Sequence, residues 1–268
     1  MARRVRLDAE LVRRGMARSR DHARELIEAG RVTIDKQPAR KAANQVDPAQ
    51  ALNVAKVDGE IEWASRGAHK LIGALDGFGV RVDGRRCLDA GASTGGFTDV
   101  LLHRGAAHVE AVDVGYGELI WRLRNDERVT VRDRTNVRTL TADGIGGVVE
   151  LVVADLSFIS LALVLPALAA CVAPGADLLP MVKPQFEVGK GNVGSGGVVR
   201  EPDLRTSAVA GVARAAAAAG LATRGVVASP LPGPTGNVEY FLWLRREAPD
   251  PNIDVQSMIE RAVAEGPQ

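Results

Sequence analysis

From Arg86 onward, short apolar runs alternate with segments of helical spacing. That alternation restricts the chain to an α/β fold with a doubly wound, mostly parallel sheet, whose ligands sit at the carboxyl ends of the strands. Strands are expected over 86–90, 109–113, 129–133, 150–154, 178–182, 225–229 and 238–244, and helices over 96–103, 117–124, 160–172 and 203–219. An earlier helix opens at Ser65, with Leu71, Leu75 and Phe78 on one side. A chain of 268 residues, 46% of them hydrophobic, can bury such a core and still carry a small appendage.

The first strand runs into Asp89-Ala-Gly91-Ala-Ser93-Thr94-Gly95-Gly96-Phe97-Thr98. A glycine-rich strand-to-helix turn lets backbone N–H groups and a helix N-terminus approach a ligand. No Gly-Lys-Ser/Thr is present, which disfavours a P-loop. Ala92-Ser93 stands where a dinucleotide fingerprint has its second glycine, so a pyrophosphate fits poorly. Asp113 ends the second strand, where a carboxylate can hold ribose hydroxyls. A ribose-bearing ligand without a pyrophosphate points to S-adenosylmethionine in preference to a nicotinamide cofactor.

Four ionisable residues fall at the ligand edge of this sheet. Lys70 lies on the helix before the first strand, Asp155 ends Val152-Val153-Ala154-Asp155, Lys183 ends Leu179-Pro180-Met181-Val182-Lys183, and Glu239 opens the last strand. Any one alone is most often a satisfied surface charge. Four converging on one edge point to a functional site. Beyond Lys183, five glycines between Gly189 and Gly197 suit either a segment that closes over a substrate or a plain flexible connection.

The first sixty residues differ in character. Asp8 is placed to cap a short helix bearing Leu7, Leu11 and Val12 on one face and ended by Gly15; Ser19 is placed to cap a second, with Ala23, Leu26 and Ile27 before Gly30. Val32 and Ile34 lead into a turn at Asp35-Lys36 and start a small sheet that Val46, Leu52 and Val54 complete. Net charge is only +1, yet residues 1–41 hold 12 Lys and Arg against 6 Asp and Glu. Arg3, Arg4, Arg6, Arg13, Arg14, Arg18 and Arg20 crowd the first helix and the turn after it. Charged residues usually form a solvated surface, but clustering at a tight turn favours a phosphate grip, because guanidinium forks match phosphate oxygens. A basic appendage for a polyanion is expected.

Residues 56–68 carry a turn signal at Asp58-Gly59 and a lone Trp63, suited to packing at a domain junction more than to exposed base stacking. Cys87 and Cys171 stand apart in apolar contexts without a metal-binding spacing, so they read as core residues and no metal site is expected. The basic start has no apolar stretch behind it. The longest apolar run, 161–173, contains Pro166 and falls short of the roughly 20 residues a membrane helix needs. The chain therefore reads as cytoplasmic, with no membrane partner.

Arg-Leu-Asp-x-x-Leu-Val at 6–12, Arg14-Gly15, Ala17-x-Ser19-Arg20, Ala23-x-x-Leu26-Ile27 and Gly30-x-Val32-x-Ile34 resemble the S4 RNA-binding domain. By position, that resemblance makes Arg4, Arg6, Arg18, Arg20 and Lys41 the RNA contacts. Ser65-Arg-Gly-Ala-His-Lys-Leu, the Asp89–Thr98 turn, Ala154-Asp-Leu-Ser-Phe-Ile-Ser, Val182-Lys-Pro-Gln-Phe-Glu and Gly236-Asn-Val-Glu-Tyr-Phe resemble the FtsJ-like ribose 2'-O-methyltransferases, whose Lys-Asp-Lys-Glu tetrad falls on Lys70, Asp155, Lys183 and Glu239. The whole chain is similar to the TlyA family, which joins the two. The resemblance implies a small N-terminal α+β S4 domain at 1–59, a linker at 60–64, and a Rossmann-like methyltransferase sheet at 65–268. It implies S-adenosylmethionine held by Asp89, Gly91, Ser93, Thr94, Gly95, Gly96, Phe97, Asp113, Asn136 and Asp155. It further implies methylation of cytidine ribose in ribosomal RNA of both subunits, and a link to sensitivity to capreomycin-type cyclic peptides. One departure stands out: TlyA proteins can carry Arg-x-Trp-Val in the linker, whereas this chain has Ile61-Glu62-Trp63-Ala64.

The implied reaction is displacement at a sulfonium methyl by a ribose oxygen, so the protein must place and deprotonate a weakly acidic alcohol. A lysine at its reference pKa of about 10.4 keeps its proton; burial or a nearby cation lowers that value and carboxylates raise it. Lys183 is the expected base, Asp155 orients it, and Lys70 and Glu239 place the hydroxyl. Base methylation is disfavoured. Amino-group methylation usually accompanies an Asp-Pro-Pro-Tyr type strand end, and carbon-5 methylation needs a cysteine nucleophile that neither Cys87 nor Cys171 supplies. Two other classes stay open: a membrane-acting haemolysin, a label relatives of the family carry, and an RNA-binding protein without catalysis.

Overall fold

The computed structural model describes residues 4–17, 20–55 and 61–266. The chain divides into two compact units, the first ending at Glu62 and the second beginning at Trp63. Arg18, Ser19 and the Asp58-Gly59 turn lie outside the described residues.

In the N-terminal unit, β1 (Val5–Arg6) pairs antiparallel with β4 (Gln45–Val46), and β2 (Val32–Ile34) lies between β3 (Gln37–Pro38) and β5 (Leu52–Val54). Helices α1 (Leu7–Arg13) and α2 (Arg20–Glu28) bury Leu7, Leu11, Ala23, Leu26 and Ile27 against Val32, Val46 and Leu52. Asp35 and Lys36 both take the left-handed backbone that a two-residue hairpin between Ile34 and Gln37 requires. Val46 does not complete the three-stranded sheet. It faces Val5, and the pairing continues through Leu7 N to Asn44 O and Asp8 N to Ala42 O, which satisfies N–H groups at the start of α1.

Asp8 is not the cap of α1; that position belongs to Arg6, which makes no side-chain cap bond. The Asp8 carboxylate is fully buried and held by Arg6 at 2.9 Å and Arg20 at 3.0 Å, with Ala9 N donating to it at 2.8 Å; the guanidinium bonds are charge-assisted and the stronger ones. Glu10, equally buried, is held by Arg13 at 2.6 Å and Arg14 at 2.7 Å, and Arg14 also donates to the carbonyls of Pro48 and Gln50. Four of the clustered arginines thus brace the unit as well as charging its surface.

The second unit is a seven-stranded sheet covered on both faces. Helix α3 (Gly67–Phe78) precedes β6 (Arg86–Ala90), α4 (Gly96–His103), β7 (His108–Val112), α5 (Trp121–Arg124), β8 (Val129–Arg132) and β9 (Val149–Ala154). Then follow α6 (Leu165–Cys171), β10 (Val172–Val182), α7 (Pro184–Glu187), α8 (Pro202–Ala218), β11 (Ala222–Ala228), β12 (Tyr240–Arg245) and α9 (Val255–Glu265). The strand order is β11-β12-β10-β9-β6-β7-β8, and β12 alone runs against the rest. Alternate residues serve opposite faces: Leu88, Val152, Leu178 and Leu242 enter one core, Cys87, Leu151, Leu179 and Phe241 the other. Both cysteines are buried and free, as core residues. Trp63 and Ala64, expected in the linker, pack with this unit: Trp63 stands edge-on to His103 at 5.2 Å, and Ala64 N donates to Asp99.

Several elements differ from expectation, among them α7, which was not expected, and β10, which begins at Val172 and not at 178. The helix expected at 117–124 is confined to Trp121–Arg124, because Gly117 is left-handed and Ile120 extended. The expected helix at 160–172 divides into a 3₁₀ turn at Leu161–Leu163 and α6, because Pro166 cannot extend a preceding helix and sits in the first turn of a new one. Helix α9 was not expected, although Asp254 caps it through Ser257 N and Ile259, Ala262 and Val263 follow helical spacing. No helix among the described residues is long and apolar enough to cross a membrane.

The buried carboxylates give the N-terminal unit an acid limit. Hydrogen bonds from Arg6 to Asp8, and from Arg13 to Glu10, hold both well below the usual carboxylate range, at about 2. A folded value below the unfolded one means stability that is present above about pH 4 and lost as pH falls toward 2. Hydrogen exchange of the full chain should show α1 and α2 losing protection over that window. In Asp8→Asn the dependence should be shallower and protection at neutral pH already reduced.

Candidate active site

Sheet register assembles the site. Val182 faces Tyr240 across the antiparallel β10–β12 ladder, so the next residues outward, Lys183 and Glu239, emerge side by side. Pro180 faces Ala154 on parallel β9, so Asp155 leaves the same edge. Lys70 arrives from α3, which lies close to the turn before β12: a Cβ on Gly73 would come within 2.8 Å of Pro230 Cγ, so only glycine allows this approach.

The four side chains form two ion pairs. Lys70 Nζ meets Glu239 Oε2 at 2.5 Å, and Lys183 Nζ meets Asp155 Oδ1 at 2.6 Å while donating to Ser157 Oγ at 2.8 Å. Lys70 and Lys183 are 8% and 9% exposed, Glu239 1%. Such burial is tolerable only for paired charges. Burial pushes the Glu239 carboxyl up, Lys70 and Lys183 oppose the rise, and Asp155 adds to it, so all four groups share one field. This arrangement can orient a hydroxyl and exchange a proton at a lysine nitrogen.

Asp89 and Asp113 join the tetrad's Asp155 at the ends of β6, β7 and β9, three neighbouring parallel strands at the point where strand order reverses. Gly91 has φ +91°, and a Cβ there would lie 2.6 Å from the Asp155 carbonyl oxygen, so the turn packs directly on the neighbouring strand end. Asp113 accepts from Ser93 N at 2.8 Å and Gly115 N at 2.7 Å. Fully buried Asp89 accepts from Thr98 Oγ1 at 2.7 Å through Oδ2, while its Oδ1 has no partner among the described residues. An orphaned buried carboxyl oxygen beside a glycine-rich turn fits a ligand carrying its own polar groups.

Not every expected residue projects to this edge. Phe97 is buried with its ring 6.0 Å from that of Phe241, so its side chain is core. Asn136 Oδ1 accepts from Arg138 N and caps the 3₁₀ turn Val137–Thr139. In the N-terminal unit, Arg4 and Lys41 are exposed, and Arg6 and Arg20 keep about half their side-chain surface while bound to Asp8. Thr98, Ser157 and Asn237 escaped the sequence reading. Asn237 is fully buried, accepts from Val199 N and donates to Gly197 O and Thr235 Oγ1, tying the glycine-rich segment to the turn before Glu239. Its only sequence signal was proximity to Glu239.

Residues 63–246 match the FtsJ-like methyltransferase family and residues 5–51 the S4 domain. Over 270 residues the chain is 63% identical to the 16S/23S rRNA (cytidine-2'-O)-methyltransferase TlyA of Mycobacterium tuberculosis, covering 100% of both chains. The chain belongs to the TlyA family. Hemolysin A of Brachyspira hyodysenteriae, 33% identical over 238 residues, spans 88% of this chain and 98% of its own. A solved structure from Streptococcus thermophilus that bears the name hemolysin is 34% identical with a TM-score of 0.77, covering 99% of this chain and 96% of that one.

Within this TlyA-family site, burial pushes Asp89 up to about 7 against the bonds from Thr98, with Asp155 and Asp113 adding to the rise. The folded chain therefore holds a proton that the unfolded chain releases near pH 4, and stability falls as pH rises from about 4 to 7. Asp89→Asn keeps an acceptor for Thr98 and removes the ionisation. Its thermal midpoint relative to the unsubstituted chain should rise across that window and level off above it. A constant difference from pH 4 to 8 would contradict the assignment.

Proposed function

We propose that this chain transfers a methyl group from S-adenosylmethionine to the ribose 2'-hydroxyl of cytidine in ribosomal RNA of both subunits. The carrying observation is the pair of buried ion pairs at the carboxyl edge of the sheet, beside a glycine-rich turn and two further strand-end carboxylates, Asp89 and Asp113. The substrate printed in the name of the 63%-identical Mycobacterium tuberculosis relative supports the same reading. Bound S-adenosylmethionine supplies an electrophilic methyl on a sulfonium. Gly91, Ser93, Thr94, Gly95, Gly96 and the backbone at Phe97 would form its cradle, Asp113 would take its ribose hydroxyls, and Asp89 and Asp155 would hold it further, whereas Asn136, expected among them, spends its side-chain oxygen on Arg138 N.

The chain's own residues then place and deprotonate the target hydroxyl. Lys183, once its ammonium proton has passed to solvent, would take the hydroxyl proton as the ribose oxygen gains its bond to the methyl carbon and the carbon–sulfur bond breaks. The Asp155 carboxylate and the Ser157 hydroxyl fix the Nζ position and stabilise the ammonium that forms. Lys70 and Glu239 set the hydroxyl in line. The S4 domain of residues 1–59, followed by the linker, anchors RNA through Arg4, Arg6, Arg18, Arg20 and Lys41. The arginines held by Asp8 share one carboxylate between two cations, which leaves net positive charge for phosphates.

Single-turnover methylation of ribosomal subunits tests the base. Lys183→Ala should lose roughly 10²–10⁴ in rate, the usual contribution of a general base, with cofactor and RNA affinities held. Lys183→Arg is sharper, because arginine keeps the charge and does not give up its proton. Near-normal turnover in the arginine variant would make Lys183 an electrostatic support.

A further inference from the structure

The chain leaves β9 and β10 as two neighbouring loops, 155–161 and 183–187, and three contacts hold them together. The innermost is the chemistry: Lys183 on Asp155 and Ser157. Next, the rings of Phe158 and Phe186 lie 5.3 Å apart. The outermost is the Glu187 carboxylate, which accepts from Ser160 Oγ at 2.6 Å and Leu161 N at 2.8 Å. Between these anchors Leu156 and Ile159 pack partly buried against the core, while Ser157 and Phe158 stand exposed. Phe158 is 91% exposed and held at φ +64°, a left-handed backbone that is strained for a non-glycine residue. Leu161, by contrast, is buried, so its N–H needs a partner, and Glu187 is the one it has.

Glu187 belongs to neither ion pair of the tetrad. It closes the far end of the one-turn helix α7 that Lys183 opens, and it grips the far end of the loop that Asp155 opens. We propose that Glu187 is a positioning residue: it braces the two loops so that Asp155 and Ser157 stay in register with Lys183. Burial raises its carboxyl above the ordinary range while Ser160 and Leu161 oppose the rise, consistent with a carboxylate kept in place by the bonds it accepts. Without it the Leu161 N–H is stranded and the loop relaxes outward, carrying Ser157 and Asp155 off the lysine. A displacement of about 1 Å at a reacting geometry can cost on the order of 10²-fold in rate.

The proposal rests on the methyltransferase reading above, and its test separates the two. In single-turnover methylation with the full chain, S-adenosylmethionine and unmodified ribosomal subunits at saturation, Glu187→Ala should lose roughly 10- to 100-fold. Affinities for cofactor and subunits should hold. Glu187→Gln, which keeps an acceptor for Leu161 N, should recover to within a few-fold. Because both act on Lys183, the losses of Glu187→Ala and Ser157→Ala should be less than additive. Hydrogen exchange over 157–163 should rise in the alanine variant and not in the glutamine variant. Wild-type rate in Glu187→Ala, equal damage in both variants, or additive losses with Ser157→Ala would overturn the proposal. If the unsubstituted chain transfers no methyl to ribose, the function falls while exchange still decides the brace: unchanged exchange in Glu187→Ala refutes it.

Discussion

Two lysine ammonium groups buried at one edge of a sheet impose the heaviest demand in this structure. Removing such charges from water costs several kcal/mol each, and only close partners make them tolerable. Much of the second unit can be understood as supplying those partners. Placing β9 beside β10 brings Asp155 to Lys183, reversing β12 brings Glu239 to the same edge, and a helix freed of a side chain at Gly73 delivers Lys70. Truncating either acid would leave its lysine stranded, so these residues are coupled in stability as well as in chemistry.

The N-terminal unit uses buried carboxylates to a different end. Asp8 and Glu10 are as buried as Glu239, but their partners are arginines whose side chains remain largely solvent-exposed in three of four cases. An arginine can satisfy a carboxylate with part of its fork and still offer N–H groups outward. Buried ammonium suits proton exchange with one hydroxyl; exposed guanidinium suits a chain of phosphates.

Much of this is legible in the sequence. Short apolar runs located each strand of the large sheet, because strands covered on both faces must be apolar almost throughout, though β10 and β11 begin earlier than expected. The tetrad was legible because each member borders such a run. Glu187, Asn237 and Thr98 were not, since their work is to satisfy backbone and side-chain groups brought near only by folding: Asn237 acts on residues some forty positions away. Asp8 misled for the same reason. Its spacing says cap, and the arginine from α2 that claims it is twelve residues distant. The missed α9 had a cap and a face, but sat beyond the last strand, where alternation no longer demanded a helix.

The product of the reaction decides the central claim. Ribosomal RNA from unmodified small and large subunits, incubated with the full chain and S-adenosylmethionine, can be digested to nucleosides and separated by mass. Appearance of 2'-O-methylcytidine is the predicted result. Methyl groups found on bases with every ribose unmodified would contradict it.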